Sequence, residues 1–178
     1  MRIFRAPDRL SHEEVEQLVG IPDPYGFVIR FGLATGLRWG ELCRALPSDV
    51  HGDVLHVSRT KTGRVRRIPV SPAIREELRA KTGRLVPFLE ADPGSFNWHA
   101  RRLSGVERFH PHMMRHTFAC QWLENGGSLP ALQQVLGHSS IATTQRYARL
   151  GDDVVQEQAE KVWRSKTVAG TVAPEEKS

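Results

Sequence analysis

The chain has 178 residues, enough for one domain that buries a core without help from disulfides or a structural metal. It carries 25 basic and 20 acidic residues, a net charge of +5 and a pI near 9.7, and no apolar run approaches the roughly 20 residues that a bilayer crossing needs. No charged start leads into a long apolar segment either, so a leader peptide and a membrane span are not expected.

The two cysteines, Cys43 and Cys120, sit among apolar or helix-forming neighbours and read as small buried hydrophobes in a reducing cytoplasm. Net charge alone separates nucleic-acid binders poorly from other proteins. The kind of base is more telling: nearly all the positive charge is arginine, and Lys61 is the only lysine before Lys81. Planar guanidinium groups suit paired contacts to phosphate oxygens.

In chain order, Leu10-Ser11-His12-Glu13-Glu14-Val15 predicts a helix start, with Ser11 as N-cap, Glu14 closing a capping box, and Leu10 with Val15 as a hydrophobic staple. Apolar residues at helical spacing run from Tyr25 to Leu46, broken into two helices at Thr35-Gly36 and ended by Pro47. Val54 to Val57 and Val65 to Val70 read as strands of a small β-hairpin whose tip, Thr60-Lys61-Thr62-Gly63, carries the lysine. Ser71-Pro72 opens a helix that ends near Thr82-Gly83. Further helices are predicted at 94–103, 112–125, 129–136, 140–149 and 152–164, set apart by Gly126-Gly127, Gly137 and Gly151. In the last of them Val155, Ala159 and Val162, with Trp163 beside it, form an apolar stripe that must be buried, against its own domain or against a neighbouring subunit. Residues 166–178 have little apolar content and read as a flexible tail.

Three places carry side chains that propensity would not ask for. Arg38, in Thr35-Gly36-Leu37-Arg38-Trp39-Gly40-Glu41, stands at a helix start, where backbone N–H groups favour an anion; the competing reading is a surface arginine paired with Glu41 one turn along. In His110-Pro111-His112-Met113-Met114-Arg115-His116, His112 and Arg115 share a helix face and both can address one phosphate, while His116 is assigned a core or capping role. Three close histidines also raise the thought of a metal, but the spacing lacks a zinc pattern and no cysteine completes it. Leu136-Gly137-His138-Ser139 is followed nine residues after its histidine by Tyr147; a lone tyrosine there has the simpler reading of a ring packed on the core with a wet hydroxyl.

Taken together these motifs resemble, in order, spacing and local wording, the tyrosine recombinases, which include phage integrases and Xer-type recombinases. The resemblance rests on Thr35-Gly36-Leu37-Arg38 with Glu41, a lysine at a hairpin tip, Pro111-His112 with Arg115-His116-Thr117-Phe118-Ala119, Leu136-Gly137-His138-Ser139, and Tyr147. It implies a mainly α domain with a small antiparallel sheet (α+β), a catalytic domain over residues 1–165, a tail over 166–178, and a DNA-clamping domain that is absent from this chain. It also implies strand cleavage and rejoining through a 3′-phosphotyrosyl bond, with no cofactor and no metal. Arg38 and Arg115 are then expected on the scissile phosphate, Lys61 and His112 in proton transfer, His138 on the remaining phosphate oxygen, Tyr147 as nucleophile, and Glu41 as an acidic residue that orients a catalytic group. Expected partners are double-stranded DNA attachment sites, three further copies in a homotetramer on DNA, and a directionality or host DNA-bending factor, in a bacterial host cytoplasm at the nucleoid. Competing readings are a type IB topoisomerase, a DNA-binding regulatory module without catalysis, and a zinc-dependent hydrolase. For Arg66, Arg67, Arg101, Arg102, Arg146 and Arg149 the default is solvated charge, with DNA-backbone contact as the alternative.

Overall fold

The computed structural model describes residues 8–58 and 65–137. Lys61, His138, Tyr147, Arg146, Arg149, the predicted helices at 140–149 and 152–164, and the predicted tail lie outside the described residues.

The fold is mainly helical with one small antiparallel sheet, as the sequence implies. Helix α1 (His12–Val19) leads to α2 (Tyr25–Thr35) and the short α3 (Trp39–Arg44), then through a 3-10 turn to strands β1 (Val50–His51), β2 (Val54–Val57) and β3 (Arg66–Pro69). Helices α4 (Pro72–Arg79), α5 (Pro93–Ser104), α6 (His112–Glu124) and α7 (Leu129–Leu136) follow. The predicted hairpin is β2 paired with β3, with Val57 opposite Arg66 at the end nearest Lys61 in sequence. The sheet has a third strand that alternation does not reveal: β1 is two residues long and turns back at Gly52 to pair with β2.

Two helices are buried nearly all round and form the centre. In α2, Phe27, Val28, Ile29, Phe31 and Leu33 are buried together with Gly26, Gly32 and Thr35; in α6, every residue from Met113 to Cys120 is buried. A helix surrounded by protein needs no polar face, and α2 packs against α1, α4, α5 and α6. Close approach of the central pair depends on glycine, because a Cβ on Gly32 would lie 2.6 Å from the Met114 sulfur. The predicted break at Gly36 has a definite cause. Gly36 caps α2 in the left-handed region at φ 63°, and a Cβ there would sit 2.5 Å from the Phe118 ring.

At the entrance to the domain the capping box is formed: Glu14 N–H donates to Ser11 Oγ at 3.2 Å, and Ser11 N–H to Glu14 Oε2 at 2.7 Å. Leu10 is buried, and its N–H donates to Thr117 Oγ1 on α6 at 3.0 Å, which pins the start of α1 to the central pair. Arg108 grips the same Glu14 with two nitrogens, at 2.7 and 2.6 Å. Hydrogen bonds from Arg108, which outweigh partial desolvation and are helped by the Ser11 N–H, pull the Glu14 carboxyl down from 4.5 to about 2. A depressed carboxyl stabilises the fold above its unfolded value and loses that contribution as pH falls through the folded one. Glu14→Gln is therefore expected to cost about 1 kcal/mol at pH 7, read as a lower melting temperature. The difference from wild type should shrink as pH falls from 4.5 towards 2; a gap that stays constant over that range would contradict it.

Candidate active site

The site grows from a problem in the fold: two helices end in the interior, and their last carbonyl oxygens need donors. Arg115, on the buried helix α6 and only 4% exposed, answers for both. Its Nη1 donates to Gly36 O at the end of α2 and its Nη2 to Leu136 O at the end of α7, each at 2.8 Å. A cation is favoured at a helix C-terminus, so one guanidinium is held in a fixed plane by the ends of two helices.

Leu136 O takes a second donor, Arg66 Nη1 from β3. Arg66 Nη2 donates to Glu41 Oε2 at 2.7 Å, and Glu41 Oε1 in turn accepts from Arg38 Nη1 at 3.1 Å. Arg38 N–H also donates to Glu41 Oε2, at 2.9 Å. Since Arg38 stands two residues after Gly36, the contacts close a circuit: Gly36 carbonyl, Arg115, Leu136 carbonyl, Arg66, Glu41, Arg38 and back along the chain. Within it Arg38 is the outward member, its side chain 45% exposed against 5% for Glu41 and 6% for Arg66.

Burial alone would raise the Glu41 carboxyl, but the Arg38 N–H and the charges of Arg66 and Arg38 outweigh it and hold the group below its ordinary 4.5. Glu41 is thus an ionised carboxylate shared by two arginines. The pairing of Arg38 with Glu41 is also present, so the two readings of Arg38 are compatible: its base is tethered and its head reaches solvent. Because α3 has only six residues, Arg38 is placed by this tether more than by a helix dipole.

His112 begins α6 and is exposed, with its ring edge-to-face on His116 at 4.5 Å between centroids. Partial desolvation, followed by the charges of Arg115, His110 and Arg38, lowers its pKa from the ordinary 6.5. The charges of both candidate phosphate arginines thus bear on this imidazole. His116 is buried, with Nε2 3.9 Å from Asp8, and takes the core role expected of it. Arg38, Glu41, His112 and Arg115 are therefore brought together, while Lys61, His138 and Tyr147 lie outside the described residues.

Solvated charge is the wrong default for Arg66, which is 6% exposed and ion-paired. The signal available in the sequence was its place in β3, where Arg66 and Ile68 alternate inward between exposed Val65, Arg67 and Pro69. Arg67 and Arg102 are exposed as expected, the latter lying over the Trp98 ring at 5.5 Å, and Arg101 Nε donates to Phe109 O at 2.6 Å. Among the described residues no three His, Cys, Asp or Glu side chains gather as metal ligands, and no helix is long and apolar enough to cross a membrane.

Residues 92–153 match the model of the phage integrase family. The chain is 34% identical over 172 residues to the integrase of Escherichia phage 186, covering 88% of this chain and 49% of that protein. It is 32% identical over 182 residues to the tyrosine recombinase XerC of Bacillus licheniformis, covering 85% of this chain and 60% of that protein. It thus spans about half the length of the relatives it matches. Among solved structures, the catalytic domain of bacteriophage HP1 integrase superposes with a TM-score of 0.70 at 29% identity, covering 85% of this chain and 93% of that domain.

The depressed pKa of His112 leads to a direct check. Its imidazole proton should titrate with a midpoint below 6.5 in a histidine NMR experiment on the free protein, leaving the ring neutral and able to accept a proton at pH 7. A midpoint above 6.5 would contradict the environment described. By linkage the folded state favours neutral His112, so its contribution is full above pH 6.5 and is lost as pH falls through the lower folded value.

Proposed function

Because the chain belongs to the phage integrase family of tyrosine recombinases, we propose that it supplies the strand-cleaving and rejoining chemistry of a site-specific DNA recombinase, acting in the integration and excision of a phage or mobile element. What supports this reading is that Arg38 and Arg115 are linked through Glu41, Arg66 and the Leu136 carbonyl, and that the charge of both bears on His112.

In the proposed reaction the scissile phosphate lies against Arg38 and Arg115. Tyr147 Oη attacks phosphorus, the bond to the 5′ oxygen breaks, and a 3′-phosphotyrosyl bond holds the strand. A phenol with a pKa near 10 is a weak nucleophile at neutral pH, so its proton must go to a base; His112, kept neutral at pH 7 by its surroundings, takes that part. The departing 5′ oxygen needs a proton, which Lys61 supplies from the hairpin. His138 donates to a nonbridging oxygen, and the two guanidiniums stabilise charge that develops on the others as the transition state forms. Rejoining is the reverse: a 5′-hydroxyl from the partner duplex attacks the phosphotyrosine and returns the proton and the phenol. Bond energy is conserved, so ATP does not enter the balance.

The partners proposed are double-stranded attachment sites, with four protomers assembled on two of them, and a directionality or DNA-bending factor; the nucleoid of a bacterial host is the proposed place of action. Residues 1–165 are the proposed catalytic domain and 166–178 a tail. The apolar stripe at Val155, Ala159 and Val162 is the surface proposed to pack across subunits in that assembly.

The test uses a nicked suicide duplex bearing the site that this chain selects from a random-sequence duplex pool. Wild type is expected to leave a covalent protein–DNA band on a denaturing gel. Tyr147→Phe should lose at least about 1,000-fold in its formation while noncovalent binding stays within about twofold, since only the nucleophilic oxygen is removed. A covalent band that persists in Tyr147→Phe would remove Tyr147 from the role.

A further inference from the structure

Arg66 is costly where it stands. Both it and Glu41 are withdrawn from water, and a buried ion pair often contributes no more stability than a well-packed apolar pair of the same volume. Its Nε is buried with no hydrogen-bond partner among the described residues, a further cost. Stability is therefore a poor account of it. Geometry is a better one, because an arginine fork fixes direction as well as distance. One nitrogen holds the Glu41 carboxylate that tethers Arg38; the other holds the Leu136 carbonyl, which also fixes Arg115. Arg66 itself lies opposite Val57, five positions after Lys61 in the sequence.

Gly137 shows how closely the surroundings are built around this side chain. A Cβ at that position would lie 2.2 Å from Arg66 Cδ and 2.5 Å from Nη1, and the backbone is left-handed at φ 65°. Glycine there both ends α7 and makes room for the arginine. The residue that follows is His138.

We infer that Arg66 is a positioning residue for strand cleavage: it sets Arg38 through Glu41, and Arg115 and the exit of α7 through the Leu136 carbonyl. It makes no contact with DNA. The inference rests on the recombinase reading above. Removing the fork frees Glu41 to swing with Arg38 and leaves the α7 end held by Arg115 alone.

The test compares wild type, Arg66→Met, Arg66→Lys and, as a control for stability, Leu18→Ala, a buried variant on α1, a helix that contributes no member of the circuit. Each is measured for melting temperature, for duplex affinity as a function of salt, and for single-turnover formation of the covalent adduct on the selected nicked duplex at saturating concentration, well below every melting temperature. Arg66→Met is expected to keep wild-type affinity and salt dependence while the adduct forms at least about 30-fold more slowly; Arg66→Lys, which keeps charge but has no fork, recovers only part of that rate. Leu18→Ala is expected to melt earlier yet cleave at the wild-type rate. If Arg66→Met does not fold, Arg66→Lys carries the same comparison.

Three outcomes overturn the inference alone: wild-type cleavage by the Arg66 variants; a fall of about one in the logarithmic salt slope with the saturated rate intact, which marks a phosphate contact; or an equal rate loss in Leu18→Ala, which marks mere stability. Absence of an adduct from wild type itself would overturn the recombinase reading and this inference with it.

Discussion

Two helix C-termini, those of α2 and α7, turn carbonyl oxygens inward at Gly36 and Leu136, and a buried oxygen left without a donor costs about 1–3 kcal/mol. The chain meets this demand with Arg115, a charged residue on a helix otherwise immersed in the core. Once one guanidinium has been buried the arrangement becomes exacting, because charge in the interior is tolerated only when its hydrogen bonds are well directed. Arg66 shares the Leu136 oxygen, Glu41 balances Arg66, and Arg38 completes the set at the surface. The groups that satisfy the helix ends are therefore, within the described residues, also those that hold the cations proposed to meet a phosphate.

Much of this was legible in the sequence, and the part that was not has a physical reason. Caps and breaks are local: Ser11 with Glu14, Gly36, Pro72 and Gly137 announce themselves through short-range geometry, and the helices they bound are found where expected. Strand β1 escaped because two residues are too few for alternation to register. Alternation in β3 turns Arg66 inward, but its ion pair and carbonyl contact join it to residues 25 and 70 positions away, and those partners are not encoded in composition or periodicity. The hydrophobic pattern also understates α6: a helix buried on every side shows no contrast between faces, and Arg115 and His116 lie inside it as ordinary polar residues until packing is known.

The arrangement separates labour among cations of similar chemistry. Arg115 and Arg66 are internal and answer to backbone oxygens and to Glu41; Arg38 is half open to solvent. His112 has its pKa lowered by partial desolvation and then by the charges of Arg115, His110 and Arg38. Catalysis by preorganised donors works when those donors need not rearrange as charge develops, and a closed ring of contacts is a direct way to hold them. Both cysteines are buried and their thiols are pushed up to about 11, chiefly by desolvation, which keeps them protonated and unreactive at neutral pH.

Glu41 and Arg66 act as one unit within that ring. A double-mutant cycle on stability, by urea unfolding of wild type, Glu41→Gln, Arg66→Met and the double variant, measures their coupling most directly. Each single change strands a buried partner and should cost about 3–5 kcal/mol, while the double variant should cost less than the sum by at least about 2 kcal/mol. Losses that add to within about 0.5 kcal/mol would mean that the two side chains are independent, and the circuit would not hold the site together.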